Sequence, residues 1–395
     1  MYLYIHIPFC KSRCIYCDFA VVLDKYGGHQ TYLDALKNEI TSRFEGFGIN
    51  TANKKHHLDS LYLGGGTPSL LPSQWYQELL SALDPYVYWD KDTEFTLEMN
   101  PDHVASPPEA YKALGINRVS IGVQSLNDLL LKTLSRSHSS ESVRRCVTQF
   151  QSAGLENISL DLMLGLPGQS PQDWEATLKA AVSLNPAHIS AYGLKVEEGT
   201  PLQQLEAVSA RYQLPEEEML GDIYDLTSEF LPSYGFSRYE ISNWARADKE
   251  STHNLNYWHA GDWLALGLGA HGKWGPHFYE NTRDWNRYIQ DPVGSSTHQL
   301  WDKRDQLETE IMLGLRLKQG ISLERLAKKY NIHLETWMKT WQPLLEKYRW
   351  GGFLAGHDEG NICLSSKGMA VSTLILSELL AEKNLIATEF SGTLA

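Results

Sequence analysis

The sequence predicts an α/β protein in which a parallel β-sheet is followed by a smaller α+β domain. Up to about residue 230, short apolar runs alternate six times with longer amphipathic segments. Several of the runs are apolar throughout, as strands covered on both faces are. From about Trp301 the pattern changes to three helical segments and a hairpin-like stretch. Repeated strand–helix–strand units are joined by right-handed crossovers, so the first part should form a parallel sheet.

The six predicted strands are short and are separated by segments with helical periodicity. They are Leu3–Ile7, Ser60–Leu63, Glu94–Met99, Arg118–Val123, Ile158–Met163 and His188–Leu194. Each intervening helix places its apolar side chains on one face, as in the stripe from Leu33 to Phe44. Another helix should begin after Ser170, a typical cap followed by a proline. Periodicity leaves open whether the sheet is open or curled, and six units are fewer than the eight of a closed barrel.

The remaining chain is expected to form one more helix, a connection and a second domain. A helix at 216–231 leads to a candidate edge strand at 236–242. The following segment has little periodicity but many aromatic residues, which are costly to expose, so we interpret it as a functional connection. The expected boundaries are 1–240 for the strand–helix domain, 241–300 for this connection, 301–383 for the C-terminal domain and 384–395 for a tail.

The C-terminal domain has the element pattern of a winged helix. Helices are predicted at 308–318, 323–330 and 334–348, before a hairpin at 353–364 that turns at 357–360. Winged helices often bind DNA. Basic and acidic residues are nearly equal in number here, however, and the whole chain has a net charge of −13 and a pI near 5.5. Nucleic-acid binding needs a basic footprint, so we expect no nucleic-acid partner.

Composition is that of an ordinary globular protein, with 42% hydrophobic and 21% charged residues in 395. No apolar run approaches the roughly 18–20 residues that span a bilayer. The chain opens with Met1-Tyr-Leu-Tyr-Ile-His and lacks the basic start of a signal peptide. These observations predict a soluble, cytoplasmic protein.

Three of the five cysteines lie within eight residues, in Cys10-Lys-Ser-Arg-Cys14-Ile-Tyr-Cys17. Cys146 has the spacing of a packing residue on a helix, and Cys363 stands alone. A tight loop of three thiolates can hold a metal centre. Zinc usually takes a fourth protein ligand, and none is evident, whereas an iron–sulfur cluster with three protein ligands has one open iron. The sequence therefore favours an iron–sulfur cluster over a zinc knuckle or reduced surface thiols.

Other candidate ligand-binding residues follow the predicted strands, at the edge where the cysteine loop also lies. Gly64-Gly65-Gly66-Thr67-Pro68 follows the second strand, and its glycines let backbone amides approach a ligand closely. Further polar residues at or near this edge, or on the strands that lead to it, are Tyr4, Tyr16, Glu98, Gln124, Arg136, His138 and Asp161. Because the carboxyl ends of parallel strands meet at one rim, these residues should surround one site. A buried acid such as Asp161 requires a partner or a ligand.

The cysteine spacing and the glycine motif together resemble those of the radical S-adenosylmethionine (SAM) superfamily. The resemblance implies a partial (β/α)6 barrel in which Cys10, Cys14 and Cys17 bind a [4Fe–4S] cluster, whose open iron is chelated by SAM. It also implies cofactor contacts for the residues that match the family's motifs. These are Tyr4, Tyr16, Gly65, Gly66, Thr67, Glu98, Gln124, Arg136 and Asp161.

Within the superfamily the chain resembles the branch of oxygen-independent coproporphyrinogen III dehydrogenase, from Tyr4 through Tyr239–Trp244 and into the C-terminal domain. The dehydrogenase itself carries a further cysteine two residues after the third, where this chain has Phe19. It also has an N-terminal extension before the first strand, which is not expected here. Both differences favour the heme chaperones of the same branch over the dehydrogenase.

The heme-chaperone members share an HNxxYW motif, which matches His253-Asn254-Leu-Asn-Tyr257-Trp258 in this chain. An imidazole can ligate heme iron, and aromatic neighbours can cover the macrocycle. The alternative is a structural histidine within an aromatic cluster. His259 and His271 are nearby alternative ligands.

The resemblance implies three cofactors or ligands: a [4Fe–4S] cluster, SAM and heme. It also implies transfer of heme to heme-requiring apoproteins such as respiratory enzymes at the membrane, with peripheral contact at its inner face, and homodimerisation. Two alternatives stay open: radical decarboxylation of coproporphyrinogen III propionates, and a winged-helix regulator that senses iron–sulfur status.

Overall fold

A nine-stranded sheet forms the centre of the molecule, which we describe from a computed structural model covering residues 1–49, 54–355 and 361–381. Six of its strands pair in parallel in chain order. These are β1 (Tyr2–Ile7), β2 (Ser60–Gly65), β3 (Glu94–Met99), β4 (Arg118–Gln124), β5 (Asn157–Leu164) and β6 (His188–Gly193). The six predicted strands are therefore confirmed, with ends that differ by at most two residues.

Helices follow the strands of this sheet and cover it. They are α1 (His29–Gly46), α2 (Ser73–Leu83), α3 (Pro108–Ala113), α4 (Asp128–Thr133), α5 (Ser140–Ser152), α6 (Pro171–Ser183), α7 (Pro201–Val208) and α8 (Glu217–Phe230). The predicted cap of α6 is present: Ser170 Oγ accepts from Asp173 N, and the Asp173 carboxylate accepts from Ser170 N. Cys146 is buried on α5, as its spacing predicted.

Both edges of the sheet are extended by short strands. At one edge, β7 (Ser237–Arg238) and β8 (Asn243–Ala245) form an antiparallel pair, and β8 pairs with β6. Within the predicted edge strand at 236–242, only Ser237–Arg238 is a strand, and the residues after it form the connection to β8. At the other edge, β9 (Leu264–Leu266) pairs in parallel with β1. We expected a connection there, but three residues are too short a strand for periodicity to reveal.

The rest of the 241–300 segment is also structured. It contains helix α9 (Thr252–Trp258), a small antiparallel sheet and helix α10 (Trp285–Gln290). The small sheet consists of β10 (His271–Trp274), β11 (His277–Glu280) and β12 (Thr297–Leu300). The boundaries at residues 240 and 300 stay a prediction.

The C-terminal segment has a hydrophobic core of its own, which includes Trp337 and Trp341. Its helices are α11 (Lys303–Gly314), α12 (Leu323–Tyr330), α13 (Leu334–Trp350), α14 (Ser366–Ala370) and α15 (Ser372–Ala381). The first begins five residues before its predicted start because Asp302 caps it. Leu354 and Leu364 form an antiparallel bridge, as expected for the predicted hairpin, whose turn at 357–360 lies outside the described residues, like the tail at 384–395. Among the described helices, none combines the length and apolar character needed to cross a membrane.

Candidate functional site

A cavity of about 600 Å³ opens at the carboxyl ends of the parallel strands and reaches into the sheet's interior. Most of the predicted site residues line it together. They are Cys10, Cys14, Tyr16, Cys17, Gly65, Gly66, Thr67, Glu98, Gln124, Arg136, Asp161 and Asn254. Tyr4, His253, Tyr257 and Trp258 are not among its lining residues. The rule that parallel strands end at one rim therefore brings together motifs that are far apart in the sequence.

The cysteine loop leaves β1 and borders this cavity. Its first residues, Phe9–Cys10, pair with Val22–Leu23, and Cys17 N donates to Cys14 O at 3.2 Å. Burial raises the pKa of Cys10 to about 11 and also raises that of Cys17. Metal ligation requires thiolates, so these thiols need a cation or a metal to ionise. The three thiols line the cavity. Among the described residues, no group of three or more His, Cys, Asp or Glu side chains is placed to hold a single metal ion.

Arg136 supplies positive charge to the cysteine loop. Its Nη1 lies 3.6 Å from Cys14 Sγ, and its Nη2 donates to Gly122 O at 2.7 Å. Its Nε donates to Nδ1 of His138 at 3.3 Å. Burial lowers the pKa of His138 to about 4, so the ring is neutral and can accept this bond, while its Nε2 donates to Val123 O. His138 therefore positions Arg136.

Gly65 and Gly66 are required to be glycine by their surroundings. Gly65 has a φ of +112°, and a β-carbon there would lie 2.5 Å from the ring of His6. A β-carbon on Gly66 would lie 2.8 Å from Phe9 O. The turn can therefore pack against β1 and the cysteine loop only with bare backbone, which brings its main chain close to the cavity. Its amides donate within the protein, from Gly66 N to Ile7 O and from Thr67 N to Phe9 O.

His6 is a positioning residue that the sequence analysis missed. Its Nε2 donates to Ala20 O at 2.9 Å, which leaves Nδ1 to accept from the Tyr4 hydroxyl at 3.1 Å. Burial lowers the pKa of His6 to about 4, so the ring is neutral. This pair links β1 to the end of the cysteine loop, and it places Tyr4 behind the glycine turn, outside the cavity lining. The signal that could have found His6 is a polar residue inside an otherwise apolar strand.

Glu98 holds the glycine turn from β3. Its Oε2 accepts from Gly65 N at 2.8 Å, and its Oε1 accepts from the Tyr62 hydroxyl at 2.7 Å. Burial raises the pKa of Glu98 to about 7 in spite of these two donors. A carboxyl that titrates near neutrality can accept from a cationic amine when ionised.

Asp161 has the expected partners on its own strand, β5, and on the two strands beside it. Its carboxylate accepts from the hydroxyl groups of Ser120, Ser159 and Ser190 at 2.8–3.1 Å. Burial nevertheless raises the pKa of Asp161. Gln124, which has a φ of +63° at the end of β4, accepts from the Tyr192 hydroxyl at 3.1 Å.

Helix α9 carries the HNxxYW motif, and the Glu94 carboxylate caps its start by accepting from His253 N, Thr252 N and Ser251 Oγ. The imidazole of His253 is 1% exposed. Its Nδ1 lies 2.6 Å from Ser60 Oγ and its Nε2 lies 2.7 Å from the Tyr257 hydroxyl. Burial lowers the pKa of His253 to about 3. Both ring nitrogens are thus engaged within the protein, which is the arrangement of the structural alternative.

The other residues near the motif differ in their access to ligands. Asn254 lines the cavity although His253 does not. His259 and His271 are exposed; His259 lies 3.3 Å from Gln319, and His271 lies 3.2 Å from Glu280.

Comparison with known proteins identifies relatives over most of the chain. The model of the Radical SAM superfamily matches residues 4–181, and that of the HemN C-terminal domain matches residues 301–371. The chain is 36% identical to heme chaperone HemW of Bacillus subtilis, over 84% of this chain and 87% of that protein. It is 37% identical to heme chaperone HemW of Escherichia coli, over 69% of each chain.

Among solved structures, coproporphyrinogen III oxidase (HemN) of Escherichia coli, described as a radical SAM enzyme, matches with a TM-score of 0.80. The match covers 96% of this chain and 89% of that chain at 22% sequence identity. At this identity the likeness shows the fold alone. It confirms the predicted partial barrel with an added C-terminal domain.

Proposed function

The chain belongs to the family of the heme chaperones named HemW, within the radical SAM superfamily, and on that premise we propose that it binds heme and transfers it to heme-requiring apoproteins. The observation that carries this proposal is the likeness to those chaperones over most of the chain. The same membership supports a [4Fe–4S] cluster and SAM as cofactors.

We assign the cluster to Cys10, Cys14 and Cys17. The donor chemistry fits, because three thiols on one loop face a single cavity and leave the fourth position of a cluster open. When bound, such a cluster chelates SAM at its open iron and can supply an electron to it. The guanidinium of Arg136, 3.6 Å from Cys14 Sγ, offsets the negative charge of the thiolates. His138 and Gly122 hold that guanidinium in place.

SAM is assigned to the rim beside the cysteine loop. Gly65, Gly66 and Thr67 offer backbone and hydroxyl groups, and the carboxyl of Glu98 suits a cationic amine. Tyr4 contributes indirectly: its hydroxyl donates to His6, and the ring of His6 packs against Gly65. The remaining polar contacts are assigned to side chains that line the same cavity, namely Tyr16, Gln124, Arg136 and Asp161.

Heme is assigned to helix α9 and its surroundings. Asn254 lines the cavity, and Tyr257 and Trp258 complete the motif. His253 can ligate iron only after it leaves Ser60 or Tyr257, because both ring nitrogens are hydrogen-bonded. Ligation by His253 therefore requires α9 to open, whereas His259 and His271 are already exposed.

Porphyrinogen decarboxylation is the competing function. Phe19, which lines the cavity and is 59% exposed, occupies the position of the dehydrogenase's additional cysteine. This difference and the family membership both favour the chaperone. For partners, we propose respiratory enzymes at the inner face of the membrane as recipients, and a homodimer; the support for both is the family resemblance.

An anaerobic hemin titration of the cluster-reconstituted protein tests the proposal. We expect a saturable complex of about one heme per chain, followed by its Soret band. His253→Ala tests the ligand, and Tyr257→Phe is the matched variant because it frees Nε2 of His253 without removing the ring. If His253 is the ligand, the alanine variant loses or alters the Soret band and the phenylalanine variant keeps it.

Two results would contradict the proposal. One is the absence of saturable heme binding by the wild-type protein. The other is formation of protoporphyrinogen when coproporphyrinogen III, SAM and a reductant are supplied anaerobically. Equal binding by all three proteins would retain the chaperone and exclude His253 as the ligand.

A further inference from the structure

Arg118, at the start of β4, is a buried cation with almost no partners. Its side chain is 2% exposed and lines the cavity. Among the residues that the structure describes, it makes one long hydrogen bond, from Nη1 to Thr96 Oγ1 at 3.4 Å, and its Nε has no partner. Within the described parts of the chain, no carboxylate lies within 4 Å of its guanidinium nitrogens. Buried arginines are ordinarily paired, so this one needs an explanation.

The two acids whose charge acts on Arg118 already accept from other donors. Asp161 accepts from three serine hydroxyls, and Glu94 accepts from the first turn of α9. Burial opposes the charge on Arg118, but the fields of Glu94, Asp161 and two tyrosines outweigh this effect and raise its pKa. The guanidinium therefore stays charged while its donors stay largely unused.

Arg136, which also lines the cavity but is only partly buried, provides a contrast. Arg136 donates to Asn100, Gly122 and His138 and also contacts Cys14. The N–H groups of Arg136 are therefore occupied by contacts at the end of the cavity where the cysteine loop lies. Arg118 begins β4, whereas the cysteine loop lies at the strands' carboxyl ends, so Arg118 belongs to the inner end. The charge of Arg118 also contributes to the lowered pKa of His253 on α9. The next residue, Asn254, lines the cavity.

We propose that Arg118 is the anchor of a carboxylate-binding subsite at the inner end of the cavity, with the amide of Asn254 as a second donor. A guanidinium with free donors matches a carboxylate in charge and in geometry. The inference rests on the proposed function, which supplies two ligands that carry this group: heme through its propionates and SAM through its carboxylate. Chelation of SAM at the cluster would hold its carboxylate at the other end of the cavity, so the geometry favours a propionate.

The test compares ligands with and without the carboxylate, on wild-type protein and on Arg118→Gln. Hemin and hemin dimethyl ester are titrated into each protein, and SAM binding to the cluster-reconstituted proteins is measured separately. Arg238→Gln is the matched control, since Arg238 is a buried arginine that does not line the cavity. If Arg118→Gln does not fold, Arg118→Lys keeps the charge and loses the paired donors.

If a propionate is the ligand, wild-type protein should bind hemin about tenfold or more tightly than the diester, and Arg118→Gln should lose this preference. If SAM is the ligand, Arg118→Gln should weaken SAM binding by a similar factor and leave the hemin preference unchanged. Hemin, diester and SAM affinities that all stay within about twofold between folded wild-type and variant proteins would overturn the subsite. That result would leave the proposed function intact. Absence of heme binding by the wild-type protein would overturn the proposed function, and the SAM measurement alone would then decide whether the subsite exists.

Discussion

Glu98 on β3 accepts a hydrogen bond from the backbone N–H of Gly65 at the end of β2, with 2.8 Å between the two atoms. The carboxylate thereby fixes the turn that carries the glycine motif. The opposite side of the same turn packs on the ring of His6. The turn is therefore held between a partly buried acid and a buried neutral histidine, and the titration of Glu98 should be visible in the stability of the protein.

The first prediction concerns the pH dependence that Glu98 contributes. Its folded pKa is about 7 against an ordinary value of 4.5, so the folded state keeps a proton that the unfolded state releases. Stability should therefore fall as the pH rises through this window, by about 1–3 kcal/mol from this group. Glu98→Gln should remove that part of the slope. Unfolding in urea at about pH 5 and about pH 7.5 measures it, and parallel profiles of the two proteins would contradict the assignment.

The second prediction concerns the backbone of Gly65. Alanine there combines a strained positive φ with a clash against His6, whereas Gly275, with a φ of +58°, has no atom within 4 Å of an added β-carbon. Gly275→Ala should cost about 1–2 kcal/mol, the ordinary strain of a left-handed residue. Gly65→Ala should cost about 1–3 kcal/mol more because the core must shift.

Urea unfolding of the two glycine variants measures this difference. Gly65→Ala should also weaken SAM binding, and Gly275→Ala should not. Equal destabilisation by the two substitutions would show that the ring of His6 moves aside freely.

The third prediction treats His253 as a buried neutral ring. His253→Ala should lower the free energy of unfolding near pH 7 by about 2–4 kcal/mol, because Ser60 and Tyr257 lose their partner. The folded pKa is about 3 against an ordinary 6.5, so the unfolded state takes up the proton first as the pH falls. The contribution of His253 to the stability of the wild-type protein should therefore decrease as the pH falls below about 6.5.

In the alanine variant, the part of the pH dependence that comes from protonation of His253 should be absent. This part amounts to about 2 kcal/mol in the free energy of unfolding between pH 7 and pH 5. Chemical unfolding of both proteins across that range provides the measurement. An unchanged slope in the variant would mean that His253 is protonated or solvent-accessible in the folded state.

The fourth prediction concerns the cluster ligands. Serine at position 10, 14 or 17 should prevent a stable [4Fe–4S] cluster from forming after anaerobic reconstitution, because each thiol supplies one of only three protein ligands. Cys146→Ser is a matched control, since Cys146 is buried on α5 against Met99 and outside the cavity lining. Iron and sulfide content and the visible absorbance are the readouts. A full cluster in any of the three variants would remove that cysteine from the site.

Sequence and structure agree best where the information is local. The six parallel strands and the cap at Ser170 follow from apolar runs and capping preferences. The clustering of Cys10, Gly65 and Glu98 follows from the rule that parallel strands end at one rim. For the strands and the cap, a few neighbouring residues carry the signal, and the clustering then follows from the order of the strands.

By itself, then, the sequence determined the succession of strands and helices, the cysteine loop and the family to which the chain belongs. Only the tertiary structure decided that Leu264–Leu266 pairs with β1, that both nitrogens of His253 are occupied and that Nε of Arg118 has no partner among the described residues. Each of these depends on residues far apart in the chain. A side chain's burial and hydrogen bonds are set by the elements packed around it, and no local pattern records which distant groups those elements bring into contact.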